Sequence, residues 1–220
     1  MNPFLKAGMF TLIVVALALL VIFQFDSLRA GELKKNLEQV AYEQEARQVI
    51  THYTSVMGSS ATEQCPYIQE LRQTQFDSIY PLARKMKEYE ARNMLNSDYE
   101  SLKNTYLVGL ADMYITGFED KKTCNASEVQ LAFFYPEKTS CPRCGNINSL
   151  LSTAAEKCRN VRIYAFPYDS QIAPLKLIAN RYNVGAVPAL VINDGGPRDA
   201  ATLGAAELIT NLKENGAQCS

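Results

Sequence analysis

Cys141 and Cys144 stand two residues apart in "TSCPRCGN", with Pro142 and Arg143 between them. That spacing serves two unrelated chemistries. A dithiol at the start of a helix can exchange disulfides, because unpaired N–H groups and partial positive charge there favour a thiolate. A Cys-Pro-x-Cys-Gly knuckle can instead supply half of a closed zinc site, which needs two further ligands. The chain has no second close cysteine pair. Its single histidine, His52, lies far away in a helix-like stretch and reads as a surface or packing residue. Neither a metal centre nor a cofactor is expected. Glu137 and Lys138 lie just before the pair and could move protons, or could be solvated loop charges.

The elements that must position these sulfurs begin at Val129. "VQLAFFY", Val129 to Tyr135, is a short β-branched and aromatic run, as a buried strand should be. A loop leads to Cys141, and past Cys144 the positions Ile147, Leu150, Leu151, Ala154, Ala155 and Cys158 keep helical spacing. "VRIYAF" reads as a second strand and "IAPLKLIANRY" as a helix. The tail of "NVGAVPALVIN" is a third strand, Arg198 to Thr202 a weak edge strand, and "AAELITNLKE" a closing helix. Strands alternating with helices make an α/β plan, with the cysteines at the first strand-to-helix junction.

On three matches the stretch from Val129 to about Gly216 resembles the thioredoxin superfamily. "CPRC" follows the first strand and opens a helix. "APLKLIANRYNVGAVPALVI" is similar to the family's segment through its cis-proline loop, which puts Pro188 at that position beside Val187. "DGGPRDAATLGAAELITNL" is similar to the last hairpin and helix, with Gly204 at the family's glycine. The strand and helix that begin a full thioredoxin are not visible, so the layout is closer to the glutaredoxin-like form. The resemblance implies a mixed sheet with flanking helices. It implies Cys141 as nucleophile, favoured as an anion by the helix and by Arg143, and Cys144 as the resolving thiol. Pro188 would hold the backbone of Val187 where family members pair with substrate main chain. Two departures stand out: Ser140 replaces the tryptophan common before the first cysteine, and no acid lies in "VQLAFFY". Proline and a basic residue between the cysteines are similar to the bacterial periplasmic disulfide oxidases, though their helical insertion is missing. In this fold Cys158 and Cys219 would meet at the base of the domain as a structural disulfide, or stay as buried free thiols.

Ahead of Val129 the pattern is helical. Glu32 to Met57 carries apolar residues at steps of three and four, broken by Gly58. A second helix starts near "CPYIQEL" with Pro66 at its first helical position, where its missing N–H would be unpaired anyway, and Pro81 would kink or split it. "NSDYE" offers a capping box, Ser97 with Glu100, for a third helix ending near Gly117. If the last two form a hairpin, Cys65 comes near Cys124, and a bridge would close a loop of about 60 residues at a gain on the order of 4 kcal/mol. Asn125-Ala126-Ser127 matches a glycosylation acceptor, meaningful only in an exported chain.

"AGMFTLIVVALALLVIFQF", Ala7 to Phe25, holds no charged residue and as a helix would span roughly 28 Å, close to a bilayer's hydrocarbon core. It reads as an uncleaved single-pass anchor; the alternative is a signal peptide, for which Leu28 before Ala30 is a poor cleavage match. Arg29, Lys34 and Lys35 after the run against Lys6 before it would place the bulk of the chain inside. Six cysteines favour the non-cytosolic side. A net charge of -1 and scattered basic residues give no footprint for nucleic acid.

The expected organisation is therefore an anchor over 1–28, an α-helical segment over 29–127 and a thioredoxin-like α/β domain over 128–220. The expected activity is thiol–disulfide exchange on protein substrates, on the non-cytosolic side, with a membrane or soluble redox partner to recycle the pair. Whether it oxidises, reduces or isomerises is not encoded in the motif, since the three differ by tens of millivolts. The alternatives are a non-catalytic interaction module of a membrane complex and the zinc knuckle.

Overall fold

A computed structural model describes residues 9, 11–20, 31, 34, 35, 38, 41, 42, 45, 46, 48, 49, 60–137, 141 and 144–220. The chain forms two compact units, Met1–His52 and Tyr53–Ser220. In the first, residues 11–20 are helical, as are the described positions between 31 and 49. Here the sequence expectation is corrected. Among the described residues no helix is long and apolar enough to cross a membrane. A single-pass N-terminal anchor, and the membrane location that depended on it, are not supported. His52 and Gly58 lie outside the described residues.

The second unit opens with α1, Ala61–Ala91. Its start lies four residues ahead of Cys65, because Ser60 and Glu63 cap it: the Ser60 N–H donates to the Glu63 carboxylate at 3.1 Å. Pro66 therefore falls inside the helix rather than at its first position. The helix runs unbroken through Pro66 and Pro81, each of which forfeits one backbone hydrogen bond. After a short turn, α2 covers Ser97–Cys124. Its cap is Asn96, whose side chain accepts the Tyr99 N–H at 3.1 Å, one residue before the expected Ser97. It ends beyond Gly117 at Asn125, which adopts a left-handed conformation, φ 56°. Gly117 stays inside α2 because the helix packs so closely on Gln130 that a Cβ there would overlap the side-chain amide.

Four strands follow in a mixed sheet of order β2-β1-β3-β4: β1 Val129–Tyr135, β2 Val161–Pro167, β3 Ala189–Ile192 and β4 Arg198–Asp199. β1 runs parallel to β2 and antiparallel to β3, and β3 antiparallel to β4. Three helices connect or follow them: α3 Cys144–Lys157, α4 Ala173–Arg181 and α5 Ala205–Glu214. The sheet is covered on both faces, so β1 is buried along nearly its whole length. Its side chains alternate. Ala132 and Phe134 join Leu110, Tyr114, Ile178 and Val191 beneath α2 and α4. Leu131 and Phe133 join Leu150, Leu190 and Leu212 beneath α3 and α5. The helical pair α1–α2 is thus built onto the sheet: α2 contributes directly to one of the two cores.

Charge ties the pair down as well. The Arg72 guanidinium on α1 pairs with both Asp120 on α2 and Glu128 ahead of β1, and Glu128 takes Arg162 Nε on β2 at 3.0 Å. Burial alone would lower the Arg72 pKa; Glu128 and Asp120 outweigh it and raise it.

Candidate redox site

All six cysteines are paired: Cys65 with Cys124, Cys141 with Cys144, and Cys158 with Cys219. The first bridge closes the open end of the α1–α2 hairpin across 59 residues. The last joins the end of α3 to the tail after α5, where the two cysteines also form an antiparallel bridge. Among the described residues no group of three or more His, Cys, Asp or Glu side chains could hold a metal ion.

The pair Cys141–Cys144 occupies the junction that β1 and α3 create. β1 delivers the chain to the C-terminal end of the sheet's centre, and Cys144 is the first residue of α3. The Cys144 N–H donates to the Cys141 carbonyl at 3.0 Å, so Cys141 sits where the helix leaves N–H groups unpaired. Their Cα atoms are 5.3 Å apart. Cys144 packs against the core under α3 and α5, and both residues are half-buried. Pro142, Arg143 and Lys138 lie outside the described residues.

The Val187–Pro188 peptide bond is cis. Ala189 pairs with Phe134, so Pro188 lies at the same end of the sheet from which β1 runs on toward Cys141. Pro188 is buried, its carbonyl accepting the Ala200 N–H at 3.1 Å, and Val187 packs against the core under α2 and α4. The topology therefore brings Cys141, Cys144, Val187 and Pro188 to one end of adjacent strands.

Three features of this end are not written in any local motif. Lys103, on α2, forms an ion pair with Glu137. The Glu137 N–H donates to Asp169 Oδ1 at 3.0 Å, and the Tyr168 N–H to the Tyr135 carbonyl at 2.9 Å. Glu137 is thus tied to the helical pair on one side and to the segment after β2 on the other. Burial pushes the Tyr135 phenol well above its ordinary pKa, and the Glu137 carboxylate adds to the shift, so this hydroxyl stays neutral. The sequence separations of Lys103, Glu137 and Asp169 exceed thirty residues, and no spacing rule finds such contacts. No protein-family model matches the chain, and no curated protein matches it.

Proposed function

We propose that the chain is a thiol–disulfide oxidoreductase of thioredoxin-like architecture, acting on protein thiols or disulfides through Cys141 and Cys144. The observation that carries this reading is the bridged Cys141–Cys144 pair at the start of α3, on a half-exposed junction between strand and helix. Three bridges in one chain also fit an oxidising compartment.

In the reducing direction the Cys141 thiolate attacks one sulfur of a substrate disulfide. A mixed disulfide forms and the other substrate sulfur leaves as a thiolate. Cys144, as thiolate, then attacks Cys141 Sγ, releasing the second substrate thiolate and closing the Cys141–Cys144 bond. Two electrons pass from the pair to the substrate. In the oxidising direction the same steps run backwards, and a dithiol or disulfide partner resets the pair. The helix N-terminus contributes by favouring the anion that attacks or leaves. The adjoining Val187 backbone offers a place for substrate main chain.

Insulin-disulfide reduction and dithiol-peptide oxidation, each run with wild type and Cys141→Ser, test the reading. Loss of turnover in the variant is expected. Equal rates in the two proteins would leave the fold as a recruiting module and sink the enzyme.

A further inference from the structure

A cleft of about 560 Å³ lies outside the redox site, between α1 and the sheet. Its lining comes from both faces of the sheet. Tyr164 belongs to the core under α2 and α4, whereas Val161 belongs to the core under α3, and Ala155 of α3 also lines the cleft. A single cleft bounded from both faces must pass the sheet's edge, and β2 is an edge strand.

Hydrogen-bond parity shows what β2 presents there. The Val129 N–H bonds the Asn160 carbonyl at 2.8 Å, and the Tyr168 N–H bonds the Tyr135 carbonyl at 2.9 Å. In a parallel ladder the inward-facing residues alternate, so Arg162, Tyr164 and Phe166 serve β1. Val161, Ile163 and Ala165 turn their N–H and C=O groups outward and take no backbone partner among the described residues. Pro167 falls at the next outward position, where its missing N–H costs nothing. Across the cleft α1 presents Phe76 and Tyr80, stacked at 5.7 Å and still 44% and 59% exposed. The Arg72–Asp120–Glu128–Arg162 network lines the cleft as well and is balanced in charge.

We infer that this cleft binds an extended polypeptide segment, which adds to β2 as a fifth strand and sets apolar side chains against Phe76 and Tyr80. Donor and acceptor groups repeating every second residue, about 6.6 Å apart, match another strand's backbone and no compact small molecule. The volume lies within the roughly 300–1,000 Å³ of ligand pockets. α1 stands along the open edge, so a lone strand fits where the rigid sheet edge of a second copy would meet the helix. The site holds a protein chain apart from the sulfurs, and it does not depend on their chemistry.

A pool of randomised peptides of about nine residues, free of cysteine and proline, is the probe; lacking thiols, it tests binding independently of disulfide exchange. Amide hydrogen exchange should slow about tenfold or more at Val161, Ile163 and Ala165 when the pool is added at about 1 mM. Arg162 and Tyr164 should be protected throughout. The same pool N-methylated at alternate residues should not protect. The double variant Phe76→Ala, Tyr80→Ala, which removes exposed rings and should keep the wild-type Tm, should weaken binding about tenfold. The inference is overturned if the outward amides are already protected in free protein or do not respond to the pool. It is equally overturned if the N-methylated pool protects as well, or if protection grows with protein concentration alone, which would put a second copy on the edge.

Discussion

Cys141 and Cys144 differ in what they touch. Cys144 opens α3 and packs against the core, while Cys141 precedes the helix; both are half-buried. If Cys141 attacks and Cys144 resolves, Cys144→Ser should accumulate a mixed disulfide with a substrate protein, visible as a dithiothreitol-sensitive adduct on a non-reducing gel. Cys141→Ser should form none; an adduct through the second sulfur in that variant would reverse the roles. The buried phenols make a separate prediction. Burial, with a smaller push from Glu128, raises the Tyr164 pKa from 10.0 to about 12. Between those values the unfolded chain releases a proton that the folded chain keeps, so the unfolded state binds fewer protons and stability falls as pH rises. Urea unfolding followed from pH 9 upward should show a loss that sets in near pH 10. Tyr164→Phe should make it shallower, with the other buried phenols, Tyr135 among them, carrying the rest.

At the scale of elements, the joint between α1 and α2 is set by small residues and by the ends. Gly109 lies where a Cβ would overlap the Ile79 side chain, and Ile79 is buried. Alanine in the middle of a helix ordinarily gains about 1 kcal/mol over glycine. Here Gly109→Ala should instead destabilise by about 1–3 kcal/mol, the cost of pushing two helices apart in a packed interface. Thermal unfolding decides it, and a raised Tm would mean that the helices can separate cheaply. The same close approach at Gly117 seats α2 on Gln130 of β1, and from there Lys103 reaches Glu137.

Over the whole molecule, three bridges divide by position. Two join elements distant in sequence, with separations of 59 and 61 residues, and one closes a single turn of chain at a helix start. Structural bridges in secreted proteins typically resist reduction down to below about −300 mV, whereas redox pairs exchange at higher potentials. In a dithiol buffer poised near about −280 mV, alkylation followed by mass spectrometry should label Cys141 and Cys144 alone. Labelling of Cys65, Cys124, Cys158 or Cys219 before the close pair would remove the case for a redox role.

Local patterns were legible where their causes are local. "VQLAFFY" is apolar at every position but Gln130 because β1 is buried on both faces, and the helical spacing of "AAELITNLKE" places Leu208 and Leu212 on one buried side of α5. Other boundaries slipped by a few residues, since Ser60 with Glu63 and Asn96 won the caps that Pro66 and Ser97 also suited. The apolar run near the start shows the limit of composition: hydropathy counts side chains, whereas among the described residues no helix is long and apolar enough to cross a membrane. The sequence by itself determined which residues could carry thiol chemistry and which strand and helix bracket them, because propensity, periodicity and capping act over a few neighbours. Only the tertiary structure decided that Lys103 meets Glu137, that Arg72 joins Asp120 to Glu128, and that β2 keeps an open edge facing Phe76 and Tyr80. Those contacts depend on how whole elements stack, which no short stretch of chain encodes.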